Sequence, residues 1–450
     1  MPEIRSMIVA GGILAFSATA LCPASAAGLK TLHTFTGGDG SSPYYGLIAG
    51  PAGSFYGTTT GGGANGAGTV FQLTPPPKGQ TAWTLTTLYA FNYTPDGFFP
   101  IGLAIDSAGV LYGNADFGGT FNSTCVSNGN QTGCGTIFKL TPPGAGQTNW
   151  TESTLYSFTG AADGYYPYFD VTLDKAGNLY GFTRLGGTVN ANCASGCGTV
   201  FMLAKPGSGG NWTLATLHSF AGGKDGANPN GAPLFDSKGN IYAVTAGGGD
   251  AKPADCDPLG CGSVFILKPP AKGKTAWTKE DIWAFDGADG IIPTGGMTLD
   301  TSGNLYGATN EGGNTTICDP GSPYPPGCGV AWELLRPAAG AKKWTYKEVH
   351  KFKNSTDGSY PYAGPTADKS VFYLTTSGDE AATFGSIVKL TPPAAGKTLW
   401  LEKPVFEFSG DANGSVPIDT LLLRAGRLYG TTVGDGSGPA GNGTIFSYTP

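Results

Sequence analysis

Short runs of apolar, aromatic and β-branched residues, each bounded by glycine, proline, asparagine or aspartate, recur from residue 29 to the end of the chain, and no helical period of apolar positions persists anywhere. Such runs predict strands, and four of them make a unit that repeats. Each unit opens with Asp-Gly-x-x-Pro, at Asp39, Asp96, Asp163, Asp225, Asp289 and Asp357, with Asn413-Gly414 in the seventh place. A second segment carries an in-register tyrosine: Tyr56, Tyr112, Tyr180, Tyr242, Tyr306, Tyr373 and Tyr429. A third reads Gly-Thr-Val-Phe-x-Leu or close to it, as in Gly68 to Leu73 and Gly198 to Leu203. The fourth runs from a tryptophan to an aromatic, as in Trp83 to Phe91 and Trp212 to Phe220.

Units of roughly 60 residues with four short strands predict the blades of a propeller, because a lone blade cannot bury both faces of its sheet. The recurrent aromatics then read as packing between blades. The seventh unit stops at Thr444 to Tyr448 without a fourth strand, while Leu29 to Phe35 matches the fourth strands elsewhere. The N-terminal segment is therefore expected to complete the last blade, giving an all-β, seven-bladed β-propeller over residues 28–450.

Composition agrees with many turns and little helix: 75 glycines, 33 prolines and only 13% charged residues. A net charge of −6, with no run of Lys or Arg, excludes a phosphate-tracking surface and so nucleic acid as a partner. Residues 1–27 read as a secretory signal, with Arg5, an apolar run from Met7 to Leu21, and Ala24-Ser25-Ala26 as the cleavage motif. A lipid anchor at Cys22 is disfavoured because Leu21 is not small. The product is expected to be secreted or periplasmic, without a membrane span, and monomeric. Eight cysteines remain, and disulfides within each loop are the economical pairing: Cys125 with Cys134, Cys193 with Cys197, Cys256 with Cys261 and Cys318 with Cys328. Zinc is the rival reading, but the spacings vary and no histidine lies nearby, so no metal and no cofactor is expected.

Phe55 to Thr59 and Gly68 to Pro75, together with Asp-Gly-x-x-Pro, resemble the GloVer-type tandem repeats of bacterial exported proteins. The resemblance runs from about residue 30 to the end and implies export. It brings no functional residues with it.

Chemistry is expected on the face that carries the Asp-Gly-x-x-Pro turns and the cysteine loops. The repeated Asp residues read as turn formers, and His33, His218 and His350 as repeat positions. Departures from the repeat are better clues. Asp116, Arg184 and Asn310 stand at equivalent places in their units, Glu311 follows Asn310, and Asp170 replaces the glycine found at Gly46, Gly296 and Gly364. Asp116, Asp170, Arg184 and Glu311 are thus candidates for acid–base work, against a plainer reading as an ion pair or solvated rim charges. Tyr44, Tyr45, Phe98, Phe99, Tyr165, Tyr166, Tyr168, Tyr360 and Tyr362, with Asn310, are candidates for stacking on and bonding to sugar rings, against a reading as loop packing. Three functions stay open: a binder of an extracellular polysaccharide or cell-envelope glycan, a polysaccharide lyase or glycoside hydrolase, and a structural protein-binding scaffold.

Overall fold

The computed structural model describes residues 28–127, 130–207, 209–249, 256, 260–313, 318, 327–353, 357–378, 384–434 and 441–450. The expected signal, 1–27, lies outside them. Seven antiparallel blades stand in a ring, each of four strands except that the innermost strand of blade five is split into Ile291–Pro293 and Thr298–Leu299, and no α-helix occurs among the described residues. Blade three is typical: Thr172–Leu173 innermost, then Leu179–Thr183, Thr199–Ala204 and the outer strand Thr213–Ser219. In blade seven, Leu422–Arg424, Arg427–Thr432 and Thr444–Tyr448 are joined by the N-terminal Leu29–Thr34, with Leu29 opposite Tyr448 and Thr34 opposite Thr444. The expected closure by the first strand is present, and it leaves that blade no missing edge.

The third strand of a blade is buried on both faces along most of its length: Val200, Phe201 and Leu203 are fully buried, and Met202 between them is half-buried. Its Phe201 ring covers Gly181 on the neighbouring strand, where a Cβ would lie 2.6 Å from the ring. In blade six Leu374 takes that glycine's place and Val388 takes the phenylalanine's, so the volume is redistributed across the pair. Rings also link neighbouring blades, as in Tyr180 with Trp277 (6.4 Å) and Phe158 with Phe201 (5.3 Å), and Trp83 with Tyr429 (6.5 Å) continues this packing across the closure.

Two of the sequence motifs turn out to be halves of one joint between blades. The residue before each Asp-Gly-x-x-Pro proline lies in the left-handed region in all seven blades: Ser42, Phe99, Tyr166, Asn228, Ile292, Tyr360 and Val416. Each donates its N–H, at 2.8–3.1 Å, to the carbonyl just before the Gly-Thr-Val-Phe glycine of the preceding blade. In four joints that acceptor belongs to a disulfide cysteine: Cys134, Cys197, Cys261 or Cys328. The proline then packs on the glycine itself. A Cβ on Gly198 would lie 2.7 Å from Pro229 Cδ and 2.3 Å from the Thr183 carbonyl oxygen. Strain at seven left-handed residues is thus held by seven interblade hydrogen bonds.

The repeated aspartates form a second tie. Asp39 accepts from His33, Asp96 from Tyr89, Asp163 from Tyr156, Asp225 from His218, Asp289 from Trp283 and Asp357 from His350. Each donor sits on the outer strand of one blade and each carboxylate on the turn leading into the next. All four expected disulfides are formed within their own loops.

Candidate functional site

The first strand of each blade is short or bulged just after the proline. In blade two the register shifts between Pro100 and Leu103, and in blade four between Asn230 and Leu234. Such bulges turn the residues after the proline toward the ring axis. Glycines there let the blades close in: a Cβ on Gly364 would fall 1.1 Å from the Gly296 carbonyl oxygen. The axis opens beside them into a cavity of about 510 Å³ lined by Tyr44, Tyr45, Tyr168, Phe169, Asp170, Arg184, Tyr362 and Asp419, among others.

Two carboxyl groups face this cavity. Asp170 lies against the bare Cα of Gly102, where a Cβ would meet its Oδ1 at 1.5 Å, and that oxygen has no hydrogen-bond partner. Asp419 accepts from the backbone N–H groups of Gly46 and Thr420. Both are half-buried, touching the cavity while protein surrounds them. Burial pushes Asp170 up to about 6. Burial and the charge of Asp170 push Asp419 up to about 8, against the lowering effect of its backbone donors. Near neutral pH the pair therefore retains a proton.

Asp116 stands behind the wall. It is 4% exposed, its Oδ1 has no partner, and burial lifts it to about 7 despite the pull of Arg184. Arg184 is exposed at the cavity, with its guanidinium 5.4 Å from the centre of the Tyr168 ring. The Tyr45 hydroxyl donates to the Tyr168 carbonyl at 2.9 Å, tying blade one to blade three. Burial and then the neighbouring Tyr168, Asp116, Asp170 and Asp419 hold that hydroxyl well above its usual range.

Several expectations change here. Asp116 is not a solvated rim charge. Glu311 ends the strand Leu305–Glu311 and does not line the cavity, nor does Asn310, which is 5% exposed. Tyr165 and Tyr166 pack in the core beside Cys125 and Cys134, as loop packing would have it. Phe98 stacks on Phe117 at 5.1 Å, Phe99 meets Phe117 edge-on at 5.8 Å, and Tyr360 packs between blades five and six. Tyr44, Tyr45, Tyr168 and Tyr362 do reach the cavity. Asp419 was absent from the sequence candidates. Its signal was there, since it stands two places after Pro417, where blades two, four and five carry Gly102, Gly231 and Gly295.

Residues 120–318 match the Gloeobacter/Verrucomicrobia repeat. That stretch runs from just past the second strand of blade two into blade five, and the same joint recurs in all seven blades. That stretch resembles this repeat. No curated protein matches it in sequence. Among solved structures, an ulvan lyase of a polysaccharide lyase family, bound to -[GlcA(1-4)Rha3S]-, is 11% identical with a TM-score of 0.51, over 93% of this chain and 94% of that one. The extracellular domain of a one-component system from B. thetaiotaomicron is 11% identical with a TM-score of 0.48, over 92% of this chain and 40% of that one. An oxidoreductase from Thermus thermophilus, described as a glucose dehydrogenase, is 13% identical with a TM-score of 0.42, over 93% of this chain and 98% of that one. Likeness at this level is one of fold. The four disulfides of the repeat loops fit an extracellular protein. No helix among the described residues is long and apolar enough to cross a membrane.

Proposed function

We propose that this repeat protein is exported and binds a carbohydrate, a polysaccharide or cell-envelope glycan, in its axial cavity. The reading rests on one observation: the Tyr44, Tyr168 and Tyr362 rings share a cavity with Asp170, Asp419 and Arg184. Sugar rings offer C–H faces to aromatic rings and hydroxyls to carboxyl oxygens, so both kinds of group are used by one ligand. The ulvan lyase, which has the same fold and whose structure holds a saccharide, adds support.

A second reading is favoured by the carboxyl pair. With Asp170 near 6 and Asp419 near 8, one carboxyl can hold a proton to give to a glycosidic oxygen while the other, ionised, serves as nucleophile or as base toward water, as glycoside hydrolysis requires. A panel of polysaccharides assayed for binding and for released sugar separates the two. Tyr168→Ala is expected to weaken binding about tenfold, the value of one stacked face. Asp170→Asn would abolish release of sugar if the protein is an enzyme, and leave binding measurable. No binding to any member of the panel would sink both readings.

A further inference from the structure

A site of a different kind lies at the outer edge of the ring, far along the sheets from the axial cavity. His350 on the outer strand of blade five, Asp357 on the turn leading into blade six, and Glu402 on the outer strand of blade six bring one ligand atom each to within 4.8 Å of one another. His350 Nε2 is 2.8 Å from Asp357 Oδ2, and Asp357 is 5% exposed. Glu402 Oε1 is buried and has no hydrogen-bond partner.

The repeat supplies its own comparison. Between blades three and four, His218 and Asp225 stand where His350 and Asp357 do, and Lys279 stands at the place of Glu402: Lys279 pairs with Leu267 as Glu402 pairs with Leu390. The Lys279 ammonium lies 3.5 Å from Asp225 and has almost no exposure, so a cation fills that corner. Between blades seven and one, His33 and Asp39 face Leu85 at the same register, and nothing charged is added. Between blades one and two Glu152 holds that register, but Tyr89 stands in place of the histidine and offers no nitrogen. Of the three corners with a histidine, the one between blades five and six alone puts a second carboxylate where the lysine stood. Two carboxylates and an imidazole then surround the place that holds an ammonium two blades earlier. A buried carboxylate oxygen without a donor is costly, and a cation at that place removes the cost.

We propose that His350, Asp357 and Glu402 bind one divalent transition-metal ion of the zinc class between blades five and six. One nitrogen and two oxygen donors suit zinc, leave a fourth position for water, and disfavour calcium, which takes six or more oxygens. His350 would release Asp357 as hydrogen-bond acceptor and offer its neutral Nε2 to the ion, while the Lys353 N–H, 2.8 Å from Asp357 Oδ1, holds the carboxylate in place. The ion would clamp two outer strands and the turn between them, a structural role. This departs from the expectation of no metal, because the convergence of residues distant in the chain is invisible until the blades are placed.

Untagged protein, stripped with a chelator and titrated with zinc chloride, is the test. The expected result is one zinc ion per chain by elemental analysis and a rise in melting temperature that calcium chloride does not reproduce. Glu402→Lys, which copies the corner between blades three and four, should fold, bind no zinc and melt at the same temperature with or without it. Glu402→Gln should bind zinc at least tenfold more weakly. Zinc bound by Glu402→Lys as well as by the natural protein, or no zinc bound by the natural protein, would overturn the site. Stabilisation by calcium alone would overturn its assigned chemistry.

Discussion

Phe406 stands where six other outer strands carry a hydrogen-bond donor, and Asn413 stands where their turns carry the accepting carboxylate. Donor and acceptor are lost together in the one blade that loses either. A carboxylate left facing a phenylalanine ring would be partly buried without its partner, whereas an amide tolerates it at lower cost. Changing Tyr156→Phe alone should therefore destabilise the protein by about 1–2 kcal/mol, and adding Asp163→Asn should recover part of that loss. Denaturant titration of the two single variants and the double variant measures the coupling. Additive losses would show that the two positions act independently.

The interblade joint predicts a larger effect. Gly198 has φ of +93° and is hemmed in by Thr183 O and Pro229 Cδ. Gly198→Ala should cost at least about 3 kcal/mol through backbone strain and displaced blades. Gly239, with nothing within 4 Å of a built Cβ, is the control: it also has positive φ, so Gly239→Ala reports strain without crowding. Equal melting temperatures for the two variants would mean that the proline contact contributes little.

Removing Leu29 to Phe35 uncovers the whole of Thr444–Tyr448, which is fully buried on its blade. The truncated chain should melt well below the intact one and self-associate through the exposed edge. Unchanged melting and a monomeric profile in gel filtration would contradict the closure as a source of stability.

Acidity should act in two directions. Asp116, Asp170 and Asp419 are raised to about 7, 6 and 8, so between about pH 4 and 8 the folded chain binds more protons than the unfolded one, and their contribution to stability falls as pH rises. Asp39 and Asp225 run the other way. Burial alone would raise them, but hydrogen bonds from Thr36 and His33, and from His218 and Ala221 with the charge of Lys279, hold them below the usual carboxylate value. Their contribution is present above the unfolded value and is lost in strong acid. Melting temperature should peak in mild acid and decline toward pH 8, and Asp419→Asn should flatten the decline. A melting temperature that rises from pH 5 to pH 8 would refute the assignment of the raised carboxyls.

Blade number, strand order and closure were legible because each depends on features that repeat, and repetition filters out local noise. The axial site was legible only in part. Asp170 could be found by comparing residues three places after the proline, but Asp419 lies two places after, and both precede the first strand of their blades, Thr172–Leu173 and Leu422–Arg424, in irregular backbone where both reach the cavity. Strict alternation would have put one of them on the other face. Tyr166 and Tyr168 look alike in sequence, yet the left-handed backbone at Tyr166 sends its ring to the core while Tyr168 reaches the cavity. Glu311 misled for a related reason: it stands next to a position that varies between repeats, but it ends its strand opposite Ile291 and does not line the cavity.

Thr31 pairs with Phe446, so the first strand along the chain is the last to find its neighbour. Six blades can form in order behind it as the chain grows, each offering the joint to the next, but the ring stays an open arc until the final residues are free. For a chain that crosses a membrane end first, this works as a timer. On the proposed export, locking would wait until both ends had reached the same side, where oxidising surroundings would permit the disulfides.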